Sequence, residues 1–413
     1  MTSNLPASWR VARLGFTVET HVPQRDKPDP LTGPIPWVRI EDFVGQEIRK
    51  SKSGQGVTQE QVRLMNLRVY SEGTVLCSCS CSMGATAIVR EPLVSNQTFI
   101  GLTPGPDIES RFLFYLMNAM QDELQAHANG AIQQYLSRDD FRSLRIPLAP
   151  LEEQRRIADF LDAETARIDR LINLRKRQQQ LVFERSEAVV SSFFSRGEGQ
   201  REYRFRDLMQ SNPCYGVLVP KFSDVGVPLI RVSDLGKLDH DLERLPKVEE
   251  DQAREYRRTR ISPGDLLITV VGATIGRCDV APEAADGFNV SRALARVQLL
   301  SGLSPQMIAA WVRGRDFHVQ AELATSGAAA QPALNMSDIT HFSIWLPESN
   351  SGRSNLARRV SAHEHRIRSL RSVLERQLNL SAERRQALIT DAVTGQFDVS
   401  TASGRNVTDG VHA

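Results

Sequence analysis

Pro36-Trp37-Val38-Arg39-Ile40-Glu41-Asp42-Phe43 recurs 192 positions later as Pro228-Leu229-Ile230-Arg231-Val232-Ser233-Asp234-Leu235. Both stretches read proline, two apolar residues, arginine, apolar, one variable position, aspartate, apolar. A repeat at so long a period means two copies of a whole domain plan, not a solenoid of short units. Further matches follow in the same order. Gly73 to Leu76, leading to Met83-Gly84-Ala85-Thr86, matches Gly264 to Leu267, leading to Val271-Gly272-Ala273-Thr274. Each reads as strand, glycine turn, strand, which predicts a hairpin in each half. Leu136 to Phe141 then matches Leu334 to Ile339, and each copy runs through a short apolar strand to a proline.

After each copy comes a long segment without internal Pro or Gly, Glu152 to Phe194 and Leu356 to Val393, rich in Arg, Glu, Gln, Leu and Ala. In the first, Ile157, Leu161, Ile168, Leu171, Leu174 and Leu181 recur at helical intervals; in the second, Ile367, Leu370, Leu374 and Leu388 do so. An offset of 199 lays Ile168 on Ile367 and Leu171 on Leu370, so the helices repeat too. A helix of about 40 residues is about 60 Å long and buries such a stripe against another long helix. The sister helix is the natural partner; separate helical hairpins or a parallel dimer seam are the alternatives. The expected fold is mixed α+β: two globular domains joined by two long helices packed as an antiparallel coiled coil, with an internal pseudo-twofold repeat. The boundaries expected are 1–150 and 199–349 for the domains, 151–198 and 350–399 for the helices, and 400–413 for a polar tail.

Composition excludes several classes. Of 413 residues, 41% are hydrophobic and 24% charged, enough for real cores. The longest apolar stretch, Asp265 to Ile275, is too short and too interrupted to span a membrane. Met1 to Arg10 lacks the basic and apolar regions of a secretory leader, which points to the cytoplasm. Five cysteines, three of them Cys77, Cys79 and Cys81, fit a reducing compartment, and their alternation by two reads as one face of a strand, not as a metal site. The net charge is only +2, but seven of the 51 cations are lysine and 44 are arginine, the residue whose planar fork suits phosphates and guanine edges.

Enzyme signatures are missing: there is no phosphate-binding G-x-x-x-x-G-K-[ST] loop, no G-x-S-x-G elbow and no strand-borne carboxylate pair of a nuclease. Asn212-Pro213-Cys214-Tyr215 is an imperfect version of the element with which amino-methyltransferases hold an exocyclic amine; without a glycine-rich cofactor loop it reads as a turn at a domain entrance. His363 and His365, about 200° apart round a helix, cannot converge on a metal.

Two runs carry a family resemblance: Ile146-Pro147-Leu148-Ala149-Pro150-Leu151-Glu152-Glu153-Gln154-Arg155-Arg156-Ile157, and Glu383-Arg384-Arg385-Gln386-Ala387-Leu388-Ile389-Thr390-Asp391-Ala392-Val393-Thr394-Gly395-Gln396. With the opening Leu5-Pro6-Ala7-Ser8-Trp9 and the two-copy plan, the chain resembles the specificity subunit of type I restriction-modification systems. Pro347-Glu348-Ser349-Asn350 departs from the pattern, which predicts a looser start to the second helix. The resemblance implies a non-catalytic DNA-binding subunit whose two target recognition domains each read one half of a bipartite, asymmetric site. It implies helices that set the spacer and dock two modification subunits, with defence against foreign DNA as the role of the complex. S-adenosylmethionine, ATP and Mg2+ are then cofactors of the modification and restriction subunits, which methylate adenine N6 and cleave, and none is bound by this chain. A stand-alone DNA-binding or coiled-coil scaffold without an active methylase, and a methyltransferase built on Asn212 to Tyr215, are the rival readings.

The expected DNA contacts fall into two groups. The basic clusters contribute Lys50 and Lys52 and, in the second half, Arg257 and Arg258, beside the matched pair Arg39 and Arg231. The polar, glycine-bearing loops contribute Ser82, Thr86 and Gln133 in the first copy and Thr274, Arg277 and Gln331 in the second. Ile157, Leu161, Ile168, Leu171, Leu181, Ile367, Leu370, Leu374 and Leu388 are the expected helix seam and methylase-docking residues.

Overall fold

Each copy of the repeat closes by pairing its first strand with its last. In the computed structural model, β1 (Arg10–Arg13) runs antiparallel to β10 (Arg145–Leu148), and β11 (Gln200–Arg204) to β20 (Ser343–Pro347). The structure describes residues 5–22, 26–80, 84–127, 135–238, 240, 242–326 and 332–399, so the tail at 400–413 lies outside it. The chain divides into two units, Met1–Arg175 with Arg376–Ala413, and Lys176–Glu375.

Besides the β1–β10 pair, the described residues of the first unit form two further sheets. Five strands are ordered β2 (Val18–His21), β9 (Phe99–Pro104), β6 (Val75–Ser78), β7 (Thr86–Val89) and β4 (Glu47–Ile48); three are ordered β5 (Gly56–Val57), β3 (Ile35–Val38) and β8 (Val94–Ser95). Five short helices accompany them: α1 (Leu14–Thr17), α2 (Gln59–Leu64), α3 (Ser110–Ala119), α4 (Gln121–His127) and α5 (Arg138–Ser143). The second unit repeats the plan, with β12 (Cys214–Tyr215), β19 (Leu294–Val297), β16 (Leu266–Thr269) and β17 (Cys278–Val280) in one sheet, and β13 (Phe222–Ser223), β15 (Lys247–Val248), β14 (Val227–Ile230) and β18 (Asn289–Val290) in the other. Its helices are α7 (Glu250–Glu255), α8 (Pro305–Val312), α9 (Arg315–Thr325) and α10 (Met336–His341). β3 with β8 and β14 with β18 are parallel pairs at matching places. The expected hairpins join β6 to β7 and β16 to β17. The turns before β6 and β16 need glycine: Gly73 and Gly264 sit at φ +84° and +86°, where a side chain is strained.

Both long helices are continuous: α6 covers Leu151–Phe193 and α11 covers Asn350–Val393. In the first unit, Ile157, Leu161 and Ile168 of α6 and Leu388, Ile389, Ala392 and Val393 of α11 belong to one buried cluster with Trp9, Phe112 and Phe141. In the second, Phe193 and Phe194 share a core with Leu356, Val360, Phe205 and Trp311. Within that unit Phe183 lies under Arg371 at 5.1 Å, Ser186 meets His363 at 3.1 Å and Phe193 lies under Arg359 at 4.9 Å, so the two helices run antiparallel.

The start of α6 explains the Glu-Glu-Gln motif. Gln154 is fully buried; its Oε1 accepts from Glu109 N at 2.8 Å, and its Nε2 donates to the carbonyls of Asp107 and Ala149 at 2.9 and 2.8 Å. A buried amide with all its partners pins helix, strand end and the N-cap of α3 together. The start of α11, expected to be looser, is held by other means. Arg353 Nε donates to Pro347 O at 2.9 Å and its Nη2 to Tyr203 Oη at 2.9 Å, while Ser349 Oγ accepts from Gly352 N at 3.1 Å.

The seam is the point at which structure and sequence differ. Ile157, Leu161, Ile168, Leu374 and Leu388 are buried and Ile367 is half-buried, but Leu171, Leu181 and Leu370 stand 50, 48 and 41% exposed, as does Leu174 at 60%. Between Asp169 and Ser192 no residue of α6 is fully buried. Two helices alone cover only a narrow stripe of each other, and full burial requires the third surface that a domain core supplies. Leu161→Ala is therefore expected to destabilise the first unit by about 2–5 kcal/mol, and Leu174→Ala to change stability by about 0.5 kcal/mol or less. Urea unfolding of the full chain measures both, and equal losses would restore the uniform seam.

Candidate nucleic-acid interface

The repeated Arg-x-x-Asp motif builds one small device twice. Arg39 and Arg231 lead into the 3-10 turns Ile40–Asp42 and Val232–Asp234. Asp42 accepts from Arg39 N at 2.7 Å, and Asp234 from Arg231 N at 2.8 Å. Asp42, 4% exposed, also accepts from Lys52 N at 2.7 Å and so ties the 50–53 loop to the turn. The guanidinium of Arg231 folds back on Asp234 at 3.1 and 3.2 Å, and hydrogen bonds from Arg231 hold the Asp234 carboxyl below its ordinary value despite burial. Arg39 pairs with Glu41 and lies 6.0 Å from the Trp37 ring; Lys52 Nζ donates to Glu41 O. Arg39, Arg231 and Lys52 thus have intramolecular partners, whereas exposed Lys50 has none among the described residues.

Described residues flanking the loops selected from the sequence pair within each unit. Ser80 bridges to Tyr135, and Leu136 N donates to Cys79 O at 3.0 Å, so the 79–80 and 135–136 segments lie side by side. In the second unit Val271 bridges to Ala333, and Gly272 N donates to Pro332 O at 2.8 Å. Ser82, Gln133 and Gln331 lie outside the described residues. Thr274 is exposed on the second rim. Arg277 is exposed too, but its Nη2 donates to Leu235 O and braces the neighbouring 3-10 turn. Thr86 is a correction: it is 6% exposed, and its Oγ1 accepts from Asn118 Nδ2 at 2.6 Å, because β7 turns that face toward α3.

The structure sorts the arginine cluster of the second unit. Arg254 pairs with Glu250 and Asp251, and Arg260 with Glu250. Arg257 and Arg258, on the 3-10 turn after α7, are exposed with no ion-pair partner among the described residues. They sit beside edge strand β12, where Cys214 Sγ donates to Arg258 O at 3.2 Å.

Sequence comparison completes the site. Residues 20–181 match the family model described as "Type I restriction modification DNA specificity domain". The chain is 25% identical over 401 residues to the type I restriction enzyme EcoBI specificity subunit of Escherichia coli, covering 88% of this chain and 80% of that one. It is 25% identical over 229 residues to the MjaIX specificity subunit of Methanocaldococcus jannaschii, covering 54% of this chain and 52% of that one. The chain is thus similar to type I restriction specificity subunits over most of its length. Its fold is similar to that of a chain solved in a study of complex assembly and conformational transition of the type I R-M system, with TM-score 0.72, 21% identity and coverage of 95% and 100%. It is also similar to the HsdS subunit from Thermoanaerobacter tengcongensis, with TM-score 0.52, 20% identity and coverage of 95% and 98%.

Asn212 to Tyr215 leads into a short edge strand. Pro213 is buried, Cys214 and Tyr215 form the edge strand, and Tyr215 Oη donates to Leu334 O at 2.9 Å, tying that strand to the rim loop. Cys77 and Cys79 are fully buried, and burial pushes the Cys79 thiol up to about 11; Cys81 lies outside the described residues. No cluster of metal-ligating side chains exists, and no helix is long and apolar enough to cross a membrane, among the described residues.

Two features escaped the sequence reading. Gln61 and Gln252, 191 positions apart, occupy the same place on α2 and α7: Gln61 Nε2 donates to Pro30 O, and Gln252 Nε2 to Val219 O, both at 2.9 Å. Arg68 and Arg138 also line a cleft in the first unit. Sliding the copies at an offset of 191 would have paired Asn66-Leu67-Arg68 with Arg257-Arg258-Thr259. One test separates scaffold from contact at the repeated turn. Asp42→Ala leaves two backbone N–H groups without their acceptor and should cost about 1–3 kcal/mol, whereas Arg39→Ala, on the half-exposed side, should cost about 0.5 kcal/mol or less. Equal losses in chemical unfolding would assign the turn to the arginine.

Proposed function

We propose that this chain is the sequence-specific DNA-binding subunit of a type I restriction-modification complex, each unit reading one half of a bipartite, asymmetric site. The observation that carries it is one plan of strands and short helices built twice with different exposed side chains at the matched turn, Asn66 and Arg68 in one copy against Arg257 and Arg258 in the other. Equal scaffolds with unequal reading surfaces give unequal half-sites. Arginines at turn and loop positions next to short strands suit phosphate positioning and edge readout of duplex DNA.

The chain is assigned no catalytic step and no cofactor of its own. S-adenosylmethionine, ATP and Mg2+ belong to modification and restriction subunits, and the methylated adenine is flipped into a modification subunit. The half-exposed leucines of the long helices, Leu171, Leu174, Leu181 and Leu370, are the apolar surface on which modification subunits dock. Relatives named specificity subunits support this division of labour.

Long-read methylome sequencing of a host carrying this chain with its modification subunit, against the same host lacking only this chain, tests the proposal. A new bipartite N6-methyladenine motif that depends on the chain is expected. No new motif from a soluble, associated pair would move the assignment to a scaffold without an active methylase. In the same assay, four residues inserted at matched points of α6 and α11, about 6 Å of rise, should lengthen the unread spacer by about one or two base pairs with both half-sites unchanged. Calorimetry of the purified chain with S-adenosylmethionine should give no binding; saturable binding would favour a methyltransferase instead.

A further inference from the structure

In the first unit, the edge strand β2, the turn after α2 and the first residue of α5 enclose a cleft of about 550 Å³ lined by Thr20, His21, Asn66, Arg68 and Arg138 among others. Arg68 Nη2 donates to His21 Nε2 at 3.0 Å, and Arg138 Nε donates to Thr20 Oγ1 at 3.2 Å. Both guanidiniums are exposed, and neither has an ion-pair partner among the described residues. Asn66 holds a left-handed turn at φ 48°, which sets Arg68 against the strand. The cleft therefore gathers two unneutralised arginines round an imidazole, with Glu19, 3.3 Å from His21 Nε2 and largely exposed, as the acid in reach. Such an arrangement is self-repelling until an anion enters it.

Position supports the same ligand. Arg138 follows directly on the Tyr135–Leu136 segment that bridges to Ser80 and Cys79, so the cleft borders that strand-end pairing. The matching turn of the second unit carries Arg257 and Arg258, also exposed and without ion-pair partners among the described residues. Two copies that differ in most exposed residues both place carboxylate-free guanidinium groups at the end of this short helix, beside the edge strand. A repeated polyanion is the ligand that both places satisfy.

We propose that Arg68 and Arg138, with His21 between them, clamp one phosphodiester of the DNA backbone and fix the register of the first recognition domain on the duplex. The proposal rests on the DNA-recognition reading above and adds the residues and the ligand chemistry. Burial and then the Arg68 charge lower the His21 pKa below its ordinary value of 6.5, Arg138 adding to this and Glu19 opposing it. A phosphodiester in the cleft offsets both guanidiniums and raises that pKa again. Bound DNA then holds more protons than free protein, so affinity rises as pH falls toward and below 6.5, and His21→Gln removes that dependence.

The test measures binding of the full chain to a fluorescently labelled duplex between about 50 and 200 mM salt, for wild type, the Arg68→Gln/Arg138→Gln double variant, and Arg155→Gln as an exposed helix control. The double variant should bind roughly tenfold more weakly, with a salt slope smaller by about 1, and Arg155→Gln should match wild type. Circular dichroism and melting confirm that the variants stay folded, and NMR titration of the His21 ring with duplex, then with inorganic phosphate, reports the cleft directly. An unchanged slope with wild-type DNA binding intact overturns the cleft and leaves the DNA-recognition reading standing. Absence of DNA binding by the wild-type chain overturns that reading and the cleft with it. A His21 response to inorganic phosphate but not to duplex assigns the cleft to a small free anion and overturns the phosphodiester clamp.

Discussion

Both long helices are anchored at both ends by burial in a domain core, and this constraint organises the rest of the molecule. α6 starts in the first cluster with Ile157 and Leu161 and finishes in the second with Phe193; α11 starts in the second with Leu356 and Val360 and finishes in the first with Leu388 to Val393. Each buried Leu, Ile, Val or Phe contributes about 1.5–3 kcal/mol relative to exposure. The Arg385–Asp169 pair, partly exposed on both sides, adds about 0.2–1 kcal/mol. Packing at the helix ends, not charge along the helix, is what holds each helix to its domain. Neither domain core is complete without residues from two helices distant in sequence.

That anchoring gives the runs that carry the resemblance a physical meaning. Gln154 fills a buried slot with all its hydrogen bonds made, so an isosteric apolar residue there would strand three backbone partners. Gly395 sits at φ +73° with Pro6 and Trp9 so near that a Cβ would collide with the proline ring, so the closing and opening runs of the chain are packed against each other. Phe397 continues the contact onto Phe160 at 5.6 Å. The three stretches that mark the resemblance pack together in the first unit.

The legible part of the sequence was therefore the part under packing constraint. Periodicity located both helices, and the repeat located the matched turns and hairpins, because buried positions admit few residue types. The seam was over-read at Leu171, Leu181 and Leu370, since spacing reports which side of a helix is apolar but not whether one neighbour is wide enough to cover it. Thr86 was over-read for a related reason: a hydroxyl next to a glycine turn looks the same whether it faces solvent or Asn118. Arg68 and Arg138 were missed because 70 residues separate them in sequence, and only folding brings them to one cleft. The equivalence of Gln61 and Gln252 was visible only by sliding the copies at an offset of 191 rather than 192.

These differences follow from how labour is divided on a duplicated scaffold. Asp42 and Asp234, Gly73 and Gly264, and Gln61 and Gln252 are the same residue in both copies because each satisfies a backbone group or a backbone angle, and such demands are identical wherever the fold is identical. The exposed positions between these fixed points carry no such demand, so Asn66 and Arg257 are free to differ. A duplicated fold with unconstrained surfaces at matched places can carry two different sets of side chains on one frame. Positions shared by both copies mark the frame, and the divergent positions that the frame holds at equal places are where the two units differ in what they present to solvent.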